Sequence, residues 1–181
     1  MERNNFSISA TCSLKIESEV FVEKSSEPIA YNISHETNTS NIFILAKAFL
    51  SIAPMTHKKL QKLCYYAKAW HLAIYDENLI DEQFQAWVHG AVQPALYANY
   101  KKYGFENIPQ INSFESIPEE FVSFANEIYE SYGHLTGDEL EAINHQEEPW
   151  IKARGNCKPW ERCTNEILEE DMKIYYRKMM D

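Results

Sequence analysis

The stretch HKKLQKLCYYAKAWHLAIY, residues 57–75, constrains the fold more than any other part of the chain. Leu60, Leu63, Cys64, Ala67, His71 and Ile74 fall at the three-and-four spacing of one helical face. Tyr66 and Trp70, four residues apart, add a second apolar ridge. Lys58, Lys59, Lys62 and Lys68 lie largely off the stripe. Thr56 stands where an N-cap belongs, and Pro54 stops whatever helix comes before. A helix with two apolar ridges sits at the centre of its domain, so the remaining elements are expected to surround this one.

The neighbouring segments are also helical in period. NIFILAKAFLSIA predicts a helix from Asn41 up to Pro54. FQAWV reads as a brief extended segment, Gly90 permits a turn, and Pro94 suits the first turn of a helix that closes at Gly104. Ser116 with Glu119, and Thr136 with Glu139, have the spacing of capping boxes. Phe121, Phe124, Ala125, Ile128 and Tyr132 mark the buried face of the first of these helices. EEPWIKARG predicts a short helix opened by Pro149 and closed by Gly155. NEILEEDMKIYYRKMM predicts a last helix capped by Thr164, with acids early and bases late, as the helix dipole favours. The expected fold is mainly α: a compact bundle of about seven helices with one short extended segment.

Residues 1–40 differ from the rest. In SLKIESEVFVEK, Leu14, Ile16, Val20 and Val22 alternate with Glu17, Glu19 and Glu23, the period of a half-buried strand. Ile29, Tyr31 and Ile33 repeat the pattern after SSEP, which suggests an N-terminal β-hairpin. A lone hairpin is marginal in water, so it either folds back on the helical core or offers its edge to a partner. The expected organisation is therefore a 1–40 extension with linker and a helical domain over 41–181.

Charge and composition narrow the function. A net charge of −10 argues against nonspecific nucleic-acid binding, which requires Lys and Arg for the phosphates. Residues 41–75 carry bases and no acid, whereas residues 103–151 carry many acids and neither Lys nor Arg. Such blocks attract each other within a fold or present a charged face outward. The longest apolar run, IFILAKAFLSIA, contains Lys47 and is too short for a membrane span of about 20 residues. Without a signal-peptide pattern either, the expectation is a soluble, cytoplasmic protein. The four cysteines form no CxxC pair and read as free thiols.

A search for catalytic chemistry returns little. Cys64 and His71 share a helical face but stand roughly 10 Å apart along the axis, too far for a nucleophile and its base. His134, His145, Glu147 and Glu148 could be gathered by a fold, but HEXXH is absent and HQEE lacks the second histidine. Glu147 and Glu148 precede Pro149 and suit a helix N-terminus. INHQEEPWIKARG then reads as a corner: a helix end, a charged cap and Trp150 as a pin, with a binding surface on the same residues left open.

KLQKLCYYAKAWHLA, FQAWVHGAVQPALYANYKKYG and ELEAINHQEEPWIKARG, in that order and spacing, resemble the Panacea domain, the SocA-like and phage-associated GepA-like domain of bacterial and phage genomes. The resemblance runs from about residue 41 to 176. It rests on Thr56, Leu60, Gln61, Lys62, Leu63, Tyr65 and Tyr66, then Ala86, Trp87, Gly90, Val92, Pro94, Tyr97 and Tyr100, then His145, Glu148, Pro149 and Trp150. Two departures are Gly90-Ala91-Val92, where the family commonly has Gly-Pro-Val, and Ile143-Asn144-His145, where it often has Leu-Thr-His. The resemblance implies a helical, non-enzymatic antitoxin without a cofactor, encoded beside a toxin gene and neutralising the toxin by direct binding. Toxins paired with this domain include toxic small alarmone synthetases. One branch of the family delivers its toxin to a Clp-type protease, which supplies an alternative reading. Trp87, His89, Gly90, Tyr97, His145, Glu148 and Trp150 are the partner-binding candidates.

Overall fold

The computed structural model describes residues 41–112 and 117–180. The expected hairpin over 1–40 lies outside them. Seven α-helices are present among the described residues: α1 (Asn41–Ile52), α2 (His57–Tyr75), α3 (Pro94–Tyr100), α4 (Glu119–Tyr132), α5 (Gly137–Asn144), α6 (Glu148–Arg154) and α7 (Glu169–Arg177). Extended structure is scarce but exceeds one segment. β1 (Met55–Thr56) pairs antiparallel with β4 (Asn107–Ile108), and β2 (Gln85–Trp87) pairs antiparallel with β3 (Gly90–Val92).

α2 is the central element, packed against α1, α3, α4, α5 and α7. The Thr56 side chain accepts a hydrogen bond from the Lys59 backbone N–H and starts the helix. Asp76 ends it in the left-handed conformation (φ 63°), where its N–H donates to the Leu72 carbonyl. Lys173 and Arg177 of α7 hold the Asp76 carboxylate. Leu60, Leu63, Cys64 and Ala67 of the predicted stripe are buried, while His71 and Ile74 are half-buried. The second ridge forms the aromatic heart of the fold. Tyr66 stacks on Tyr132 with ring centroids 4.3 Å apart, and Trp70 meets Tyr176 edge-on at 5.0 Å. The Trp70 indole also donates to the Tyr132 hydroxyl at 2.9 Å. Such pairs add about 1 kcal/mol each beyond area burial.

Lys62 and Lys68, which lie off the predicted stripe, are buried, as is every residue from 61 to 70. Two expectations are corrected by the structure. α4 begins at Glu119 after Pro118, so Glu119 is its first helical residue and not the third that a box with Ser116 requires; Ser116 itself lies outside the described residues. α7 begins at Glu169, not after Thr164. The intervening residues run beside β2: the Ala86 N–H donates to the Asn165 carbonyl and the Ile167 N–H to the Phe84 carbonyl. That isolated bridge sets residues 165–167 alongside β2 of the two-stranded sheet and leaves Leu168 as the residue before the helix. The capping box at Thr136 and Glu139 forms as the spacing predicts.

The basic and acidic blocks meet in the fold. Lys58 of α2 bridges Asp138 and Glu141 of α5, each at 2.7 Å, and the Lys59 ammonium donates to the Gly133 carbonyl at 2.6 Å. No helix among the described residues is long and apolar enough to cross a membrane.

Candidate functional site

The β2–β3 hairpin is fixed to α2 by side chains that read its backbone. The Lys62 ammonium donates to the carbonyls of His89 (2.6 Å) and Ala91 (2.9 Å). The Gln61 amide bonds residue 93 twice, donating to the Gln93 carbonyl at 3.1 Å and accepting from its N–H at 2.8 Å. The Gln93 side chain in turn caps α3 by accepting from the Leu96 N–H at 2.7 Å. From the far side Asn144, the last residue of α5, accepts the Ala91 N–H at 2.7 Å and donates to Glu147 at 2.8 Å. Buried polar groups are costly unless paired, and here each partner is main chain or another member of the network.

Lys62 and Glu147 carry charge into this core. Burial pushes the Lys62 ammonium down to about 7, with the neighbouring carboxylates Glu141 and Glu147 opposing that shift. Burial pushes the Glu147 carboxyl up to about 7, while Asn144, Tyr176, Tyr66 and Lys62 favour its ionised form. Tyr65, Tyr66 and Tyr176 line the same region, and burial raises each phenol well above its ordinary range. The hydroxyls of Tyr66 and Tyr176 lie near the Glu147 carboxylate, though short of strict hydrogen-bond geometry.

The structure divides the predicted site residues into three kinds. Gly90 is a packing requirement: at φ +89° a Cβ would come within 2.6 Å of the Lys62 ammonium and 2.8 Å of the Asn144 oxygen. Trp87, Tyr97, His145 and Trp150 are half-buried and touch one another in a chain. Tyr97 meets Trp87 edge-on at 5.1 Å, the Trp150 indole donates to the Trp87 carbonyl at 3.1 Å, and His145 stacks on Trp150 at 4.3 Å. Burial lowers the His145 pKa, which favours the neutral ring. His89 is exposed beside them, its ring held by Glu141 at 3.0 Å. Glu148 stands apart: it is exposed at the start of α6, with Lys152 and Lys178 each at 3.9 Å. The corner therefore separates its two glutamates. Glu147 is the N-cap residue of α6 but makes no capping bond and turns inward, and only Glu148 serves the first turn.

Trp87, Val88 and His89 form one wall of a surface groove of about 460 Å³ whose other wall is Trp160, Arg162 and Cys163. Nothing in the sequence pattern pointed to this second wall. Its loop is shaped by Arg154, which is buried and donates to the carbonyls of Ala86 (3.3 Å), Glu161 (3.0 Å) and Lys158. Among the described residues no group of three or more His, Cys, Asp or Glu side chains could hold a metal ion.

A family model described as antitoxin SocA-like, Panacea domain, matches residues 60–151, just over half of the 181-residue chain. The chain belongs to this family. Neither a curated protein nor a solved structure gives a significant match. The Panacea match begins within α2 and ends within α6, so it contains the hairpin, its Lys62–Gln61–Asn144 anchor and the aromatic chain from Tyr97 to Trp150. α1, α7 and the Trp160 loop fall outside the matched segment.

Proposed function

We propose that this protein is an antitoxin that neutralises a cognate protein toxin by binding it, and that it is not an enzyme. Membership of the Panacea family is the observation that carries this reading. The geometry supports it in a second way. Several buried polar residues of the domain hold backbone: Lys62, Gln61, Asn144 and Arg154 each bond a carbonyl or N–H group of the hairpin or its neighbours. The result is a stiff platform on which His89, Trp87 and Trp150 are presented at one rim, as recognition by a pre-organised surface requires.

The partner in this reading is the product of the adjacent gene, with a toxic small alarmone synthetase as one candidate. The test is an affinity pull-down from cells expressing both proteins, with the toxin quantified in total lysate. Direct masking predicts a stable complex and an unchanged toxin level. Loss of the toxin in cells with an active Clp-type protease, and its return when that protease is absent, would favour the delivery alternative. Absence of any complex would remove the antitoxin reading.

A further inference from the structure

The groove between the hairpin and the Trp160 loop has features that its role as a scaffold does not explain. Trp160 is 76 % exposed, although its indole is among the most apolar groups in the chain. It is not loosely held: buried Arg154 gathers the carbonyls of Lys158 and Glu161 beneath it, and the Glu161 carboxylate accepts the Lys158 N–H at 3.1 Å. The loop closes further through Asn165, whose side-chain amide donates to the Ala153 carbonyl at 2.9 Å. An exposed tryptophan on a hydrogen-bonded loop is the side-chain type that is enriched among the residues carrying binding energy at protein interfaces.

The groove carries positive charge on a molecule whose net charge is negative, although the Glu161 carboxylate lies on the same loop and Glu141 stands beside His89. The chain carries a net −10, yet the groove wall holds Arg162, and the Lys158 ammonium sits 6.0 Å from the Trp160 ring. Neither cation has a carboxylate partner within 4 Å among the described residues. His89 on the opposite wall is already engaged by Glu141. The site thus offers two tryptophan side chains, Val88 and Cys163, and two cations that have no carboxylate partner among the described residues.

We propose that this groove docks an extended segment of a protein partner in which apolar or aromatic side chains stand beside carboxylates. The apolar side chain seats between Trp87 and Trp160, and the carboxylates meet Arg162 and Lys158. This deepens the antitoxin reading and rests on it for the identity of the partner, but not for the chemistry of the groove.

The test uses the full chain and two fluorescein-labelled dodecapeptides, one alternating glutamate with leucine and tryptophan, the other with lysine in place of glutamate. Fluorescence anisotropy at low salt is expected to show the glutamate peptide binding at least about tenfold more tightly, and Arg162→Glu and Trp160→Ala each to weaken it by about tenfold or more. Both side chains are exposed, so circular dichroism should show both variants folded. Equal binding of the two peptides, or unchanged binding by the variants, would overturn the proposal. So would peptide binding that strengthens when Glu17→Gln, Glu19→Gln and Glu23→Gln are combined, because the groove would then be occupied by the chain's own N-terminal segment. Self-association that competes with the peptide would assign the groove to a second copy instead. A peptide that binds as expected while no toxin is found leaves the groove assignment standing and removes the antitoxin reading. A toxin held equally by wild type and by both variants does the reverse.

Discussion

Lys62 and Glu147 sit in one buried network with opposite shifts, and each sets a separate pH window. Glu147 has its folded pKa raised from 4.5 to about 7, so the folded state holds a proton there that the unfolded state has lost. Its contribution is therefore fully present below about pH 4.5 and is lost as pH rises through 7. Lys62 is lowered from 10.5 to about 7, so between those values the unfolded state binds the extra proton and stability rises with pH. Urea denaturation across pH should show Glu147→Gln removing a fall between pH 4.5 and 7 of up to about 3 kcal/mol relative to wild type. An identical slope in both proteins would contradict the burial of this carboxyl. Gly90→Ala is expected to cost about 2 kcal/mol or more, since the new methyl meets both Lys62 and Asn144 at a positive φ. Denaturant midpoints measure it directly. Lys62 also shows what a sequence conceals. Periodicity scores a lysine as solvent-facing, and the carbonyls that receive this one lie 27 and 29 residues away. Gln61 and Lys62 stood among the family-matching positions, which was the available signal, but their role needed the hairpin to be placed first.

Among the elements, α2 and α7 are joined by an ion pair in which Lys68 is fully buried. Its ammonium contacts Glu169 at 2.6 Å and donates to the carbonyls of Ile80 and Glu82. Glu169 is partly exposed and is held ionised by Lys68, Gln83 and Asn78 against the cost of its burial. Glu169→Ala leaves the Lys68 charge without its counter-ion and is expected to cost about 2 kcal/mol, while Thr136→Ala at the exposed capping box should cost about 1 kcal/mol. Thermal denaturation of the two variants tests the order. Most element boundaries were legible because local signals fix them: Thr56 starts α2, Thr136 and Glu139 start α5, and Pro149 and Gly155 bracket α6. α7 was misread for the opposite reason. Residues 165–167 are drawn into extended pairing by Phe84 and Ala86, some eighty residues earlier, and tertiary pairing there overrides a plausible Thr164 cap.

At the scale of the molecule, a mainly helical body places a small β-hairpin at its rim and secures it with buried side chains. The candidate rim was half legible. Trp87, Tyr97, His145 and Trp150 were singled out by motif and do come together, whereas Trp160 and Arg162 were not, because a loop's partner across a groove leaves no periodic trace. Glu148 was grouped with them by the same motif and faces Lys152 and Lys178 instead. This arrangement suits binding, while the antitoxin reading rests on membership of the Panacea family. The most direct test is growth of cells expressing the adjacent gene with and without this chain. The account predicts arrest by the neighbour alone and restored growth on co-expression, accompanied by a complex of the two proteins. Continued arrest despite soluble co-expressed protein, or a neighbour that neither arrests growth nor binds, would contradict it.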